Sequence, residues 1–306
     1  MTLRQPRGKP LRHAQGKPLR QASHHPGFRG GLIDLHLHTT ASDGRCSPAE
    51  LVDRAAAAGV TRLAVTDHDT TSATGEVRAL AAARGIDTLS GIEITAVENG
   101  GDVHVLGYFM DPSDEELQRF LAAQREHRVV RVEQIAARLA GLGKPVDVTA
   151  LVADARTHSM RSIGRPQIAR AMIDAGYVAT VDEAFACWLG RDCPAFVPRS
   201  GASPESVIQT IHAARGLASL AHPGRTRIDA RLPALREAGL DSLEAFHSDH
   251  TPDERLRYVH TARSLGLLIT GGSDFHGDPA RPITPGSTSL PEEHWAALQD
   301  AQRRHG

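Results

Sequence analysis

Aromatic residues are scarce in this chain of 306 residues, of which tryptophan, tyrosine and phenylalanine together make up only 4%. Proteins that bind long single-stranded nucleic acid stack its bases on aromatic side chains and follow its backbone with basic ones. Residues 34–306 instead carry 28 basic and 36 acidic side chains, a net charge of −8. The scarcity of aromatic residues and the net negative charge both argue against a protein that binds long RNA or DNA.

Cysteines and long apolar runs are also scarce. The three cysteines are odd in number and form no Cys-x-x-Cys pair, which argues against a disulfide framework and against thiolate zinc sites. No stretch approaches the roughly eighteen apolar residues of a membrane-spanning helix. The sequence therefore predicts a globular, cytoplasmic protein that has no membrane partner.

The first 30 residues differ in composition from the rest. Residues 1–33 hold seven basic side chains and no acidic one, and the pentapeptide GKPLR occurs twice, at 8–12 and 16–20. A segment so rich in Gly, Pro and charge buries too little apolar surface to offset the entropy of ordering. We therefore expect a disordered basic tail over residues 1–30; an Arg-rich start without acids also occurs in transit peptides.

Strand and helix patterns alternate after this tail. Buried-strand patterns alternate with helical patterns that carry capping signals, with two exceptions. Residues 86–109 predict two strands around the hairpin signal Asn99-Gly100-Gly101, and only helical patterns occur between about residues 113 and 189. Alternating strands and helices are typical of a parallel sheet, either wound or closed into a barrel. We predict an α/β protein whose sheet is built from residues 31–111 and 201–306, separated by a helical insertion at 112–200.

The sequence contains seventeen histidines, an unusually high number, and several of them lie at the ends of predicted strands. In the stretch GLIDLHLHTTASDG (31–44), alternate residues share a face, so His36 and His38 point to the same side. The later strands end in the groups Asp67-His68-Asp69, Glu93, His104, His222, and Asp274 with His276. Carboxyl ends of parallel strands face one crevice, so we expect these groups to converge on metal ions. Imidazole and carboxylate suit manganese, zinc or iron, and the sequence does not choose among them.

Six motifs occur in order along residues 31–292: DLHLHTTASDG, VTDHD, GIE, VHVLGY, AHPGR and GSDFH. In these motifs the chain resembles the PHP (polymerase and histidinol phosphatase) family of metal-dependent phosphoesterases. The resemblance implies a distorted (β/α)7 TIM-like barrel that holds up to three divalent ions, of which we expect Mn²⁺. It implies three ligand groups: His36, His38, Glu93 and Asp274; Glu93, His104 and His222; and Asp43, His68 and His276.

The insertion resembles that of the PHP subgroup that removes the 3′-phosphate from nucleoside 3′,5′-bisphosphates. This implies a phosphoric ester hydrolase acting on a small phosphorylated nucleotide. The chain differs from the subgroup at Gln167, where the subgroup has histidine, and around residues 244–251. Three alternatives remain open: a 5′–3′ exoribonuclease on short RNA, a histidinol-phosphate-type phosphatase, and a non-catalytic module folded around metal. The complete ligand set argues against the last.

Further side chains are candidates for catalysis and substrate binding. Asp69, next to the predicted ligand His68, could serve in proton transfer. Arg165 and Arg225 are candidate phosphate clamps, and His250 is a candidate substrate contact.

Two neighbouring glycines, Gly271 and Gly272, precede the last ligand motif. Because glycine has no Cβ, we expect them to let the backbone approach a phosphate closely. The sequence does not predict the oligomeric state.

Overall fold

The structure, a computed structural model, describes residues 31–158 and 161–305, so the predicted tail at 1–30 lies outside the described residues. The strands are β1 (Leu32–Leu37), β2 (Val60–Val65), β3 (Asp87–Thr88), β4 (Gly91–Glu98), β5 (Gly101–Tyr108), β6 (Leu217–Leu220), β7 (Ser242–His247) and β8 (Leu268–Gly272). The α-helices are α1 (Pro48–Ala57), α2 (Thr74–Ala82), α3 (Glu115–Gly141), α4 (Thr149–Thr157), α5 (Arg165–Asp174), α6 (Val181–Ala184), α7 (Pro204–Ala213), α8 (Pro223–Thr226), α9 (Leu232–Glu237), α10 (Pro252–Ser264) and α11 (Glu292–His305). A π-helix spans Phe185–Leu189 and a 3-10 helix spans Asp229–Arg231.

The described strands form two sheets. The first has the order β1-β2-β3 and is parallel, and the second has the order β4-β5-β6-β7-β8. In the second sheet β5 pairs antiparallel with both β4 and β6, whereas β6, β7 and β8 are parallel. The sheet is therefore mixed, because β4 and β5 form a hairpin that turns at Asn99 and Gly100, both of which have positive φ.

Backbone hydrogen bonds connect the two sheets at both edges. His38 N donates to Phe275 O at 3.0 Å, which joins the end of β1 to the segment after β8. Asp69 N donates to Glu93 O at 2.9 Å, which joins the segment after β2 to β4. The residues predicted to bind metal therefore lie where the sheets meet.

Strand β1 is buried on both faces, although it is the first strand in the order β1-β2-β3. Ile33 and Leu35 belong to the main apolar core, which β4–β8 and helices α7, α9, α10 and α11 complete. Leu37 belongs to a second apolar cluster with α1 and α2. The strand that carries His36 is thus fixed between two packed cores.

The residues predicted as the helical insertion have an apolar cluster of their own, to which α3, α4 and α5 contribute. Its fully buried members include Leu139, Ile168, Ala169, Met172 and Leu189. Helix α3 is 27 residues long but buries several charged side chains. None of the described helices has the combination of length and apolar character needed to cross a membrane.

Candidate active site

His36 and His38 point to the same side of β1 and its extension, as their alternation predicts. The Nε2 atom of each lies 3.2 Å from Glu93 Oε2 and 3.3 Å from Asp274 Oδ1. All four side chains are buried. They come from β1, β4 and the segment after β8, and they are the first of the three predicted ligand groups.

Glu93 faces two groups of histidines at once. Its Oε1 lies 2.7 Å from His104 Nδ1 and 3.0 Å from His222 Nε2. Its Oε2, which contacts the first group, is also 3.2 Å from His68 Nδ1. The carboxylate therefore occupies the bridging position that the second predicted ligand group requires.

Asp43 is the centre of the third group. Its Oδ1 lies 3.2 Å from His276 Nε2, and its Oδ2 lies 3.6 Å from His68 Nε2. His38 Nδ1 is 3.7 Å from Asp43 Oδ1, so this group adjoins the first. All nine side chains predicted as ligands thus converge into one cluster, which we call the ligand cluster.

Several ring nitrogens of the ligand cluster are buried without a hydrogen-bond partner in the described part of the chain. They include both nitrogens of His38 and the Nδ1 atoms of His68 and His104. Their neighbours are carboxylate oxygens within about 4 Å, yet the angles are not those of hydrogen bonds. Unpaired buried polar atoms each cost roughly 1–3 kcal/mol, so this arrangement indicates electron-pair donors that surround a cation. The nitrogen and oxygen donor set, without thiolate, fits Mn²⁺, Zn²⁺ or Fe²⁺.

Two residues of the ligand cluster and one beside it, Asp69, have a backbone conformation that residues with a side chain rarely adopt. Asp69, His222 and Asp274 have φ values of 51°, 28° and 55°. Non-glycine residues rarely adopt positive φ, and such strain is concentrated at functional sites.

The electrostatic field of the histidines stabilises the charge of Glu93. Burial by itself raises the pKa of this carboxyl, but the imidazoles of His68, His104 and His36 hold it well below its usual range. Glu93 is therefore ionised near neutral pH, the form in which a carboxylate can bind cations through both oxygens.

Glu244 and His247, on β7, support the ligand cluster and were not singled out from the sequence. Glu244 is fully buried; its Oε1 is 2.9 Å from His36 Nδ1 and its Oε2 accepts from His222 N at 2.7 Å. His247 Nε2 lies 3.3 Å from Asp274 Oδ2. Such partners fix the orientation of ligand side chains. The signal that could have found Glu244 is a lone acid inside an otherwise apolar strand, LEAF.

Asp69 lies outside the ligand cluster, in an ion-pair cluster with two arginines. Its Oδ2 accepts from Arg128 at 2.5 Å and from Arg199 at 3.2 Å, and its Oδ1 accepts from Thr95 N at 2.9 Å. Burial raises the pKa of Asp69, but the two guanidinium groups lower it below its usual value. A carboxylate paired in this way has no proton to give near neutral pH. Asp69 thus holds the two arginines in place, and its predicted role in proton transfer stays a prediction.

A cavity of about 490 Å³ lies beside the ligand cluster. Part of its wall is arginine side chains from α3, α5 and the segment before α7: Arg128, Arg131, Arg165, Arg170 and Arg199. Arg199 is 7% exposed, and its Nε is buried without a hydrogen-bond partner in the described residues. Of these arginines only Arg165 was predicted. The i, i+3 spacing of Arg128 and Arg131 places both arginines on one face of α3. The sequence could not assign that face to a cavity, because an exposed helix face has the same pattern.

The predicted substrate contacts have different outcomes. Arg165 Nη2 donates to Asp102 at 2.8 Å, and Arg225 Nη1 lies 3.4 Å from Asp274 Oδ2; both line the cavity. His250 does not line it. Its Nδ1 donates to Ala245 O at 3.0 Å and its Nε2 accepts from Gly224 N at 3.2 Å, so no ring nitrogen remains for a substrate.

The glycines of β8 have a packing role, and their predicted contact with phosphate stays a prediction. A Cβ on Gly272 would lie 2.4 Å from His36 N, and one on Gly271 would lie 2.5 Å from the Phe246 side chain. Because these glycines have no side chain, β8 can approach β1 and β7 closely. This approach brings Asp274 to the ligand cluster.

Comparisons with known proteins identify relatives over most of the chain. Residues 34–164 match the PHP domain family. A 3′,5′-nucleoside bisphosphate phosphatase of Chromobacterium violaceum is 35% identical over 260 residues, which cover 82% of this chain and 90% of that protein. The 5′-3′ exoribonuclease Rnm of Escherichia coli is 35% identical over 252 residues, 80% of this chain and 85% of that protein. A solved structure from Bifidobacterium adolescentis, assigned as a metal-dependent phosphoesterase, is 33% identical with a TM-score of 0.79, covering 88% of this chain and 95% of that one.

Proposed function

Because the chain belongs to the PHP family of metal-dependent phosphoesterases, we propose that it hydrolyses the 3′-phosphate ester of a nucleoside 3′,5′-bisphosphate. The observation that carries this proposal is a single cavity with the ligand cluster on one side and buried arginines on the other. A substrate with two phosphates can place one at each side.

The arginine wall carries more positive than negative charge. Arg128 and Arg199 share the carboxylate of Asp69, and Arg131 and Arg165 share that of Asp102. Four positively charged guanidinium groups thus face only two carboxylates. A bound phosphate would complete the charge balance and accept from donors that are unpaired, such as Arg199 Nε.

The nine side chains of the ligand cluster would hold up to three divalent ions, and we propose Mn²⁺. Ions bound there would lower the pKa of a water nucleophile and neutralise the charge that develops on the phosphate oxygens. Glu244 would keep His36 in the tautomer that presents Nε2 to the cluster. Arg225, half-exposed beside Asp274, would orient the phosphate that is cleaved.

Several further properties belong to this proposal. We infer that the two sheets together form a distorted (β/α)7 barrel, since hydrogen bonds join them at both edges. We infer that residues 31–111 and 201–306 build it and that 112–200 are the inserted helical part, since the insertion has its own apolar cluster. A cytoplasmic location is supported by three cysteines that are all free thiols.

Phosphate release from adenosine 3′,5′-bisphosphate, adenosine 3′-monophosphate, histidinol phosphate and a chromogenic phosphate ester tests the substrate class. We expect kcat/KM to be highest for the bisphosphate. Arg199→Ala and Arg165→Ala should each lower it roughly 10- to 100-fold for the bisphosphate, the effect of one charged hydrogen bond, and much less for the simple ester.

Arg119→Ala is the matched control, because Arg119 is an exposed arginine of the same helix α3 that lies away from the cavity. Equal losses on the bisphosphate and the simple ester would contradict the assignment of the wall to a second phosphate. A higher kcat/KM for histidinol phosphate than for the bisphosphate would contradict the nucleotide substrate class and favour a histidinol-phosphate-type phosphatase.

A further inference from the structure

Asp43 differs from the other members of the ligand cluster in how the chain positions it. It lies in residues 39–47, between β1 and α1, which we call the Asp43 loop, whereas the other members lie in strands or close to strand ends. Asp43 is also the only carboxylate in its group of four, which His38, His68 and His276 complete. The third group therefore depends on this loop for its only negative charge.

The strands hold one part of the Asp43 loop. Asp67, which follows β2, accepts from Thr39 N at 2.8 Å and from Ser42 Oγ at 2.7 Å. Gly44 N donates to Thr39 O at 3.0 Å, which closes a turn around Asp43. These bonds leave the carbonyl oxygens of residues 41–43 for other donors.

Three consecutive carbonyl oxygens of the Asp43 loop accept hydrogen bonds from residues 162–170. The pairs are Ser162 N with Ala41 O at 3.0 Å, Gln167 Nε2 with Ser42 O at 2.8 Å, and Arg170 Nη2 with Asp43 O at 2.5 Å. Two of these donors are side chains of α5, the helix that also carries Arg165 in the cavity wall. Helix α5 therefore holds the loop of the third group, although none of the predicted ligands belongs to this helix.

The two side chains of α5 act differently on a cation at Asp43. Arg170 is positively charged and close to Asp43, so it repels a cation while its hydrogen bond fixes the loop, and the two effects oppose each other. Gln167 is uncharged. Its amide is held at both ends, because Oε1 accepts from Gly164 N at 2.9 Å and Nε2 donates to Ser42 O. Gln167 therefore acts on the loop through position alone.

We propose that Gln167 is a positioning residue for the third ion. Its bond to Ser42 O holds the neighbouring Asp43 where the carboxylate faces His68 and His276. This inference rests on the ion binding of the proposed function. The ions of the first two groups should not depend on Gln167, because their carboxylates belong to β4 and to the segment after β8.

Calorimetric titration of the chelator-treated protein with Mn²⁺, together with elemental analysis, tests this inference. Gln167→Leu removes the amide at similar size, so we expect the weakest Mn²⁺ to bind about 3- to 10-fold more weakly, the effect of one neutral hydrogen bond. The tighter ions should keep their affinity. Hydrolysis of adenosine 3′,5′-bisphosphate that is lost at low Mn²⁺ should return at high Mn²⁺, which a general loss of folding would not allow.

Two further variants support the assignment. Gln167→Asn keeps the amide on a shorter side chain that cannot span the same distance, so it should weaken the same ion. Asp43→Asn removes the negative charge of the third group, so Gln167→Leu should add no further loss of ion affinity in the double variant.

Gln118→Leu is the matched control. Its amide also donates to a backbone carbonyl, Pro112 O at 2.7 Å, but Gln118 does not line the cavity. All ion affinities should remain unchanged in this variant.

Each result separates this inference from the proposed function. Three ions with wild-type affinity in Gln167→Leu would overturn the inference and leave the proposed function standing. An equal loss of the weakest ion in Gln118→Leu would also overturn it, because any lost helix contact would then have the same effect. A wild-type protein that binds three ions but releases no phosphate would contradict the proposed function alone.

Discussion

Arg128 of helix α3 donates from Nε to Asp69 Oδ2 at 2.5 Å, and both side chains are buried. The same guanidinium donates from Nη2 to Thr95 Oγ1 at 2.6 Å. Asp69 belongs to the segment after β2 and Thr95 to β4, so one side chain of the insertion is hydrogen-bonded to both sheets. The wall of the substrate cavity is thereby fixed to the strands that carry the ligand cluster.

Asp69→Asn should reduce the free energy of unfolding by about 3–5 kcal/mol, because Arg128 and Arg199 would remain buried without their counter-charge. Urea unfolding measures this effect. Asp53→Asn is the control: Asp53 pairs with Arg84 on the surface, where both side chains are at least half exposed, and its loss should cost no more than about 1 kcal/mol. An Asp69→Asn protein that kept its stability but lost kcat would instead support the predicted role of Asp69 in proton transfer.

The purified protein should carry more than one transition-metal ion per chain, since the nine side chains predicted as ligands converge. Elemental analysis measures the content. Removing the ions with a chelator should abolish turnover and lower the melting temperature, because bound ions stabilise the folded state that positions their ligands. One ion or fewer per chain, together with activity that resists the chelator, would contradict a multinuclear site.

Glu93→Gln should reduce the metal content and abolish turnover of every substrate. The amide has no charge and is a weaker ligand, and Glu93 is the side chain that both of its neighbouring groups share. Glu237→Gln, an identical change on the exposed face of α9, should alter neither quantity. A Glu93→Gln protein with wild-type metal content and turnover would show that the ions are held without this bridge.

A histidine far from the ligand cluster should make stability depend on pH. A hydrogen bond at 2.7 Å to Asp241 raises the pKa of His212 above its usual value. Its stabilising effect is fully present below the unfolded pKa of about 6.5 and is lost as pH rises through the higher folded value.

The difference in free energy of unfolding between the wild type and His212→Gln should therefore be larger at about pH 5.5 than at about pH 9. Chemical denaturation at the two pH values measures it. His260→Gln, at an exposed position of α10, should show no such difference. A constant difference for His212→Gln would show that the ion pair does not contribute.

The members of the ligand cluster could be predicted for two reasons. Alternate residues of a strand share a face, and polar residues that directly follow apolar strands mark the strand ends. His36 and His38 two residues apart, and Asp274 after the glycines of β8, are examples. The arginine wall could not be predicted in the same way. Whether Arg128 of a long helix faces solvent or a buried carboxylate depends on how the insertion packs, and the helical period is the same in both cases.

The loop residue His250 illustrates the opposite error. A histidine in a polar segment after a strand was expected to meet substrate, yet it supports the backbone of Gly224 and Ala245. Hydrogen-bonding capacity alone does not reveal whether a side chain bonds to its own chain or to a ligand. Only the path of the backbone around the side chain decides this.

The contacts between the insertion and the strands limit how this protein can be engineered. A chimera that took helix α3 from a relative would remove the shorter of the two ion pairs of buried Asp69 unless the graft also supplied an arginine at the place of Arg128. Exchanging the insertion to change substrate preference therefore requires the receiving strands to be redesigned together with it. Substrate preference and strand sequence would consequently change together when such proteins diverge.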